Sequence, residues 1–166
     1  MLFRSLAGLA REVDAALAAR IEQLAADPPA ERVRPRVTDA IRYFVGTGGK
    51  RLRPALFLLA YRGYAREPRP DAMHVAVALE LLHSFALIHD DLLDDARTRR
   101  NAPALHQWFA SSFDGPPVRA DKAGRDLALL TGDVLHAAAI EAFQAAAFPP
   151  QPKEEALAVL LAIARQ

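Results

Sequence analysis

The sequence predicts an all-α protein, a single bundle of helices. Alanine and leucine dominate, β-branched runs are scarce, and apolar positions recur at three- and four-residue intervals, the period of a helix with one buried face. Proline clusters at Pro28-Pro29, at Pro68 with Pro70, at Pro116-Pro117 and at Pro149-Pro150-Gln151-Pro152 punctuate that pattern. Proline cannot continue a helix and restricts the residue before it, so four connections are expected there.

The elements follow from these marks. Arg4, Arg11, Glu12, Asp14, Arg20 and Glu22 fall at helical intervals and predict a first helix over 3–26. A second, over 31–45, runs from the first proline pair to the break at Gly46-Thr47-Gly48-Gly49, and a third, over 52–66, runs from there to Pro68. A long helix over 71–95, a short one over 102–112, another long one over 122–147 and a last over 153–165 fill the remaining intervals. No internal repeat, low-complexity tract or linker divides the chain, so residues 1–166 are expected to form one all-helical domain.

Composition narrows the function. The 166 residues carry 21 basic and 20 acidic side chains, a formal net charge of +1, so nothing argues for wholesale attraction to nucleic acid or to an anionic membrane. Any anion recognition is local. The absence of cysteine excludes disulfides and thiolate metal sites. The charges within the first 27 residues interrupt what a secretory signal would need as an apolar stretch, and no run of about 18 uncharged apolar residues predicts a transmembrane helix. A cytoplasmic protein is expected.

The chemistry concentrates in Glu80-Leu-Leu-His83-Ser-Phe-Ala-Leu-Ile-His89-Asp90-Asp91-Leu-Leu-Asp94-Asp95, where four aspartates fall within six positions near the end of a long helix. At about 100° of rotation per residue, Asp90 and Asp94 share a face, and His83 lies two turns earlier on nearly the same line. Like charges so close disfavour a helix unless a cation joins them. Magnesium suits that role, since it takes one or two carboxylates together with substrate phosphates. A solvated acidic helix end would show the same run.

Basic residues follow as Arg97-Thr98-Arg99-Arg100 and precede as Lys50-Arg51-Leu52-Arg53, after the glycine break. Arginine offers a planar fork of donors to phosphate oxygens, lysine a mobile point charge, and a helix starting near Leu52 adds backbone N–H groups. Diphosphate fits two such sites, although each cluster alone could be a surface patch. A nucleotide P-loop is excluded, because Phe44 stands where its first glycine is required and Arg51 where serine or threonine must follow the lysine.

Together, Gly48-Gly49-Lys50-Arg51-Leu52-Arg53-Pro54, His83, Asp90-Asp91-Leu92-Leu93-Asp94 and Thr98-Arg99-Arg100 resemble, in order, the motifs of the trans-isoprenyl diphosphate synthases. The resemblance runs from about Tyr43 to His106, with Pro103 and His106 in familiar places, and resumes at Leu130-Thr131-Gly132-Asp133. It implies about half of the isoprenoid synthase helix bundle. It also implies a magnesium-dependent prenyltransferase that condenses isopentenyl diphosphate with an allylic diphosphate. Asp90, Asp91 and Asp94 would be metal ligands and catalytic, with Asp91 assisting the other two, and Arg99 would hold the allylic diphosphate. Lys50, Arg53, His83 and Arg100 would bind the isopentenyl diphosphate. Phe85 and Ala86 resemble the floor that sets product length, for which a C15 to C20 product, weakly geranylgeranyl over farnesyl, is the expectation.

Two departures stand out. Asn101 replaces a glycine usual after the paired arginines, which a left-handed backbone would tolerate. The family's second aspartate-rich motif is not found up to Gln166. The expectation is therefore a fragment, or one chain of a split enzyme, turning over poorly alone and joining a homo- or hetero-oligomer, with a partner that carries that motif. Three rivals remain open: an HD-type phosphohydrolase using His89, Asp90, His74 and Asp133; a di-iron bundle built on Glu80-Leu-Leu-His83, which would need a second such element; and a non-catalytic subunit that binds prenyl diphosphate.

Overall fold

In the computed structural model, which describes residues 2–26, 34–113 and 115–164, seven helices and one short hairpin follow in order. These are α1 (Leu2–Ala26), α2 (Arg34–Gly46), α3 (Leu52–Tyr64), α4 (Ala72–Leu93), β1 (Thr98–Arg99), β2 (Ala102–Pro103), α5 (Leu105–Ser111), α6 (Pro117–Ala145) and α7 (Pro150–Ala164). The expected bundle is there. The Pro28-Pro29 connection and the 31–33 start of the second expected helix lie outside the described residues.

In the main helices the buried residues recur at helical intervals. In α1, Leu9, Val13, Leu17 and Ile21 recur every four residues and are all buried. In α2 the buried set is Ala40, Ile41, Phe44 and Val45. Helix α4 is the central element, with Ala76, Val77, Leu81, Leu82 and Ile88 buried among its neighbours. It is long and apolar enough to cross a membrane, by length and composition alone, yet 56% of its apolar window is buried inside the bundle. Its main partner is α6, most of whose buried residues, Ala128, Thr131, Gly132, Ala138, Ala139 and Ala142, are short in side chain and so permit close packing.

Two boundaries differ from expectation for one reason. Helices α6 and α7 begin at Pro117 and Pro150, several residues before the expected starts at 122 and 153. Both prolines occupy the first helical position, where the missing N–H costs nothing and the fixed φ favours entry. The clusters read as breaks are helix starts.

Residues 98–103 are a further correction, because part of the helix expected over 102–112 is instead a hairpin. Thr98 pairs with Pro103 and Arg99 with Ala102, leaving Arg100 and Asn101 as a two-residue turn. Both have positive φ, 52° and 63°, as a tight antiparallel turn requires. Asparagine accepts that conformation better than other residues with a Cβ, which explains its presence in place of glycine. The Ala104 N–H to Arg97 carbonyl bond closes the base of the hairpin. Tyr43 of α2 donates its hydroxyl to the Pro103 carbonyl at 2.7 Å and stacks on Trp108, which ties the hairpin to the bundle.

Candidate active site

The acidic cluster ends α4. Asp94 is the capping residue, Asp95 is left-handed with φ 52°, and the Ala96 N–H reaches back to the Asp91 carbonyl at 2.9 Å, so the chain turns sharply out of the helix. A helix carboxyl end carries partial negative charge, so four carboxylates there oppose the dipole and cations must compensate. Two protein cations do so. Arg125 of α6 donates to Asp95 at 2.6 Å and to the Leu92 carbonyl at 2.9 Å. Arg99 of β1 donates from Nε to Asp91 Oδ2 at 2.7 Å, and its Nη2 makes charge contacts with Asp91 Oδ1 at 2.7 Å and Asp90 Oδ2 at 3.3 Å. These contacts raise the Arg99 pKa, chiefly through the Asp91 hydrogen bond, and leave Nη1 out of the pairing.

The aspartates therefore do not share one environment. Asp91 is 1% exposed and faces inward to Arg99, whereas Asp90 and Asp94 are exposed, one turn apart on the outer face. No group of three or more metal-ligating side chains converges among the described residues. A pair of outward carboxylates at the negative end of a helix nevertheless fits magnesium, an ion that completes its shell with water and phosphate. Asp90 and Asp94 are the outward pair, whereas Asp91 is engaged by Arg99.

Two turns before this end of α4, at His83, further basic residues come close. Arg53, at the start of α3, approaches His83 Nε2 at 3.2 Å, and Arg99 and Arg100 also act electrostatically on His83. Burial first, and then Arg53, hold the His83 pKa below its ordinary value, so its ring is neutral and accepts from Arg53. Histidine 83 thus stands with the arginines, although spacing had aligned it with the aspartates. Lys50 is exposed on the loop before α3. Phe85 is half-buried, its ring 4.5 Å from that of His89 and 4.9 Å from that of His136 on α6, while Ala86 is exposed.

Sequence reasoning left several supporting residues without a role. Arg51, one of the basic cluster, is 5% exposed and takes no outward position: it donates to Asp14 of α1 at 2.7 Å, to Glu80 of α4 at 2.7 Å and to the Val45 carbonyl at 2.9 Å. Its partner Glu80 is equally buried and is taken up by the Arg51 guanidinium, a cation where a di-iron ligand would face metal. Gly132 is required by His89, since a Cβ there would stand 2.5 Å from His89 Nε2. His106 is fully buried, and burial, followed by the Arg125 charge, lowers its pKa. No local signal betrays Arg125, which reaches Asp95 across 30 residues of sequence.

The depressed histidines make stability depend on pH in a definite direction. His83 and His106 bind protons less readily folded than unfolded, so their contribution is complete above the unfolded value of 6.5 and is lost as pH falls through the lower folded values. Urea midpoints are expected to decline from about pH 7 towards 5, with a shallower slope in His106→Gln. Equal slopes in variant and parent would remove His106 from that account.

Residues 34–165 match the polyprenyl synthetase family model. This chain belongs to the polyprenyl synthetase family. It is 38% identical over 120 residues to the short chain isoprenyl diphosphate synthase of Methanothermobacter thermautotrophicus, covering 68% of this chain and 32% of that protein. The geranylgeranyl pyrophosphate synthetase structure from Pyrococcus horikoshii superimposes with a TM-score of 0.74 at 32% identity, over 96% of this chain and 42% of that one. A geranylgeranyl pyrophosphate synthase from Corynebacterium glutamicum, complexed with isoprenyl diphosphate and magnesium, gives 0.71 at 27% identity, over 88% and 43%. The polyprenyl synthetase chain thus spans about a third of the curated relative and under half of each of these two structures. The HD-type rival loses its ligand set: His74 sits near the other end of α4, about 22 Å along the axis from His89.

Proposed function

We propose that this chain supplies the diphosphate-binding part of a magnesium-dependent trans-prenyltransferase, which joins isopentenyl diphosphate to an allylic diphosphate to give a short product of C15 to C20 class. The observation that carries the reading is the second half of α4, where the outward carboxylates Asp90 and Asp94 stand at its end with Arg99 against Asp90, and the Arg53–His83 pair lies two turns earlier.

Asp90 and Asp94 would hold magnesium, which when bound supplies positive charge to the diphosphate oxygens. Arg99, fixed by Asp91, presents Nη1 to the departing allylic diphosphate without having to be organised during the reaction. Lys50, Arg53, neutral His83 and Arg100 hold the isopentenyl diphosphate a short distance away. The allylic C–O bond breaks with its electron pair leaving on diphosphate, the isopentenyl double bond attacks the allylic carbon, and a proton is lost from the new cation. Apolar side chains keep water from that cation, and Phe85, one turn beneath Asp90, bounds the space for the growing chain.

The comparison lengths and an exposed apolar row on α6, Leu129, Leu130 and Val134, support a reading in which further helices complete the site, in the same polypeptide or in a partner subunit. Residues 1–166 alone are then expected to turn over poorly. Binding tests the site directly. In isothermal titration, a non-hydrolysable allylic diphosphate analogue is expected to bind with magnesium and not without it. Asp90→Ala and Asp94→Ala should each weaken it at least about tenfold. Binding that ignores magnesium and both substitutions would overturn the assignment.

A further inference from the structure

We infer that Arg51 is a positioning residue for the isopentenyl diphosphate subsite, taking no substrate itself and fixing the loop from which Lys50 and Arg53 reach it. The inference rests on the function proposed above and assigns a residue that the motif alone would count among the phosphate binders.

Three observations carry it. First, each nitrogen of the Arg51 guanidinium donates inward: Nε to Asp14, Nη1 to Glu80 and Nη2 to the Val45 carbonyl, with both Arg51 and Glu80 side chains 4% exposed. A guanidinium so engaged and buried has nothing to offer a diphosphate. Second, Arg51 is left-handed, with φ 45° and ψ 34°, at the residue that caps α3. A side chain with a Cβ holds that conformation only where its surroundings over-determine it, and these three bonds to α1, α4 and the end of α2 do so. The direction in which α3 leaves the loop, and with it Arg53, is set at that residue. Third, Gly49 lies over two guanidinium groups. A Cβ there would stand 3.0 Å from Arg51 Nη1 and 3.2 Å from Arg100 Nη1 and Nη2. Burial, and then the charge of Arg51, lower the Arg100 pKa, while Glu80 acts against that lowering and pairs with Arg51, so Glu80 is the anion these two neighbouring arginines share. Arg51 therefore fixes one flank of the subsite covalently, through Lys50 and Leu52, and packs beside the other.

The test is Arg51→Lys, which keeps the charge but cannot serve three acceptors in a planar fork. Isopentenyl diphosphate affinity is expected to fall about tenfold by isothermal titration, while the magnesium-dependent allylic analogue stays within about twofold. Loss confined to one ligand is what mere loosening of the fold would not produce. Unchanged isopentenyl diphosphate affinity, or a parallel loss of both ligands, overturns the inference. If Arg51→Lys gives no cooperative melt, Asp14→Asn, which removes only the half-exposed arm, is judged by the same contrast between ligands. Lys50→Ala separates the two levels: a loss there without one in Arg51→Lys sinks the positioning role alone. No loss in Lys50→Ala sinks the proposed subsite and this inference with it.

Discussion

Glu80→Ala is expected to be the most damaging single substitution in the chain outside its apolar core, lowering unfolding free energy by about 3–5 kcal/mol. The reason is what it leaves behind. Arg51 would remain inside the bundle with its charge answered only by Asp14, whose side chain is 54% exposed and therefore well screened. That surviving arm places the expectation towards the lower end of the range. Replacing both members at once, as in Arg51→Met with Glu80→Leu, removes the stranded charge and should recover much of the stability while isopentenyl diphosphate binding stays weak. Urea denaturation of the single and double variants measures this. Equal losses in Glu80→Ala and the double variant would mean that the pair is not what the fold depends on.

Gly124→Ala is expected to cost about 1–3 kcal/mol, near the top of that range. A Cβ at Gly124 would overlap the His106 carbonyl oxygen, and Ala110 closes the same space, so the obstacle is backbone on α5 with no flexible end to move. Helix α6 would have to shift away, carrying Arg125, the next residue, from Asp95 and the Leu92 carbonyl. The acidic end of α4 would then lose one of its two compensating cations, so magnesium-dependent analogue binding should weaken along with stability. Gly8→Ala is the control, because nothing lies within 4 Å of a Cβ there, and it should raise stability by about 0.5–1 kcal/mol through helix propensity alone. Thermal melts of the two variants read out the contrast. A Gly124→Ala protein as stable as its parent would show that α5 and α6 can separate freely.

The two substitutions mark different kinds of information. The helical class and the order of the seven helices were legible in the chain, since apolar periods of three and four residues report a helix with one side turned from water. The family motifs were legible too, because they are short runs whose chemistry is local: Asp90 and Asp94 fall on one helical face by counting alone. Proline gave an ambiguous signal, as the same residue ends one helix and opens another, and so the starts of α6 and α7 were misplaced. The hairpin at 98–103 was hidden because two residues per strand are too few to show alternation.

Tertiary contact decided the rest. The three motif aspartates look alike in the chain, yet Asp91 is buried against Arg99 while Asp90 and Asp94 stay exposed, Asp90 at the edge of the same guanidinium. The Lys-Arg-Leu-Arg run likewise reads as three equivalent cations. Packing buries Arg51 against Glu80, sets Arg53 beside His83 and leaves Lys50 exposed. Whether a charge is a ligand or a strut depends on the dielectric and the partners around it, and those come from residues 29 and 37 positions away in sequence. Local pattern fixes which face a side chain occupies, and only the assembled bundle fixes what that face meets.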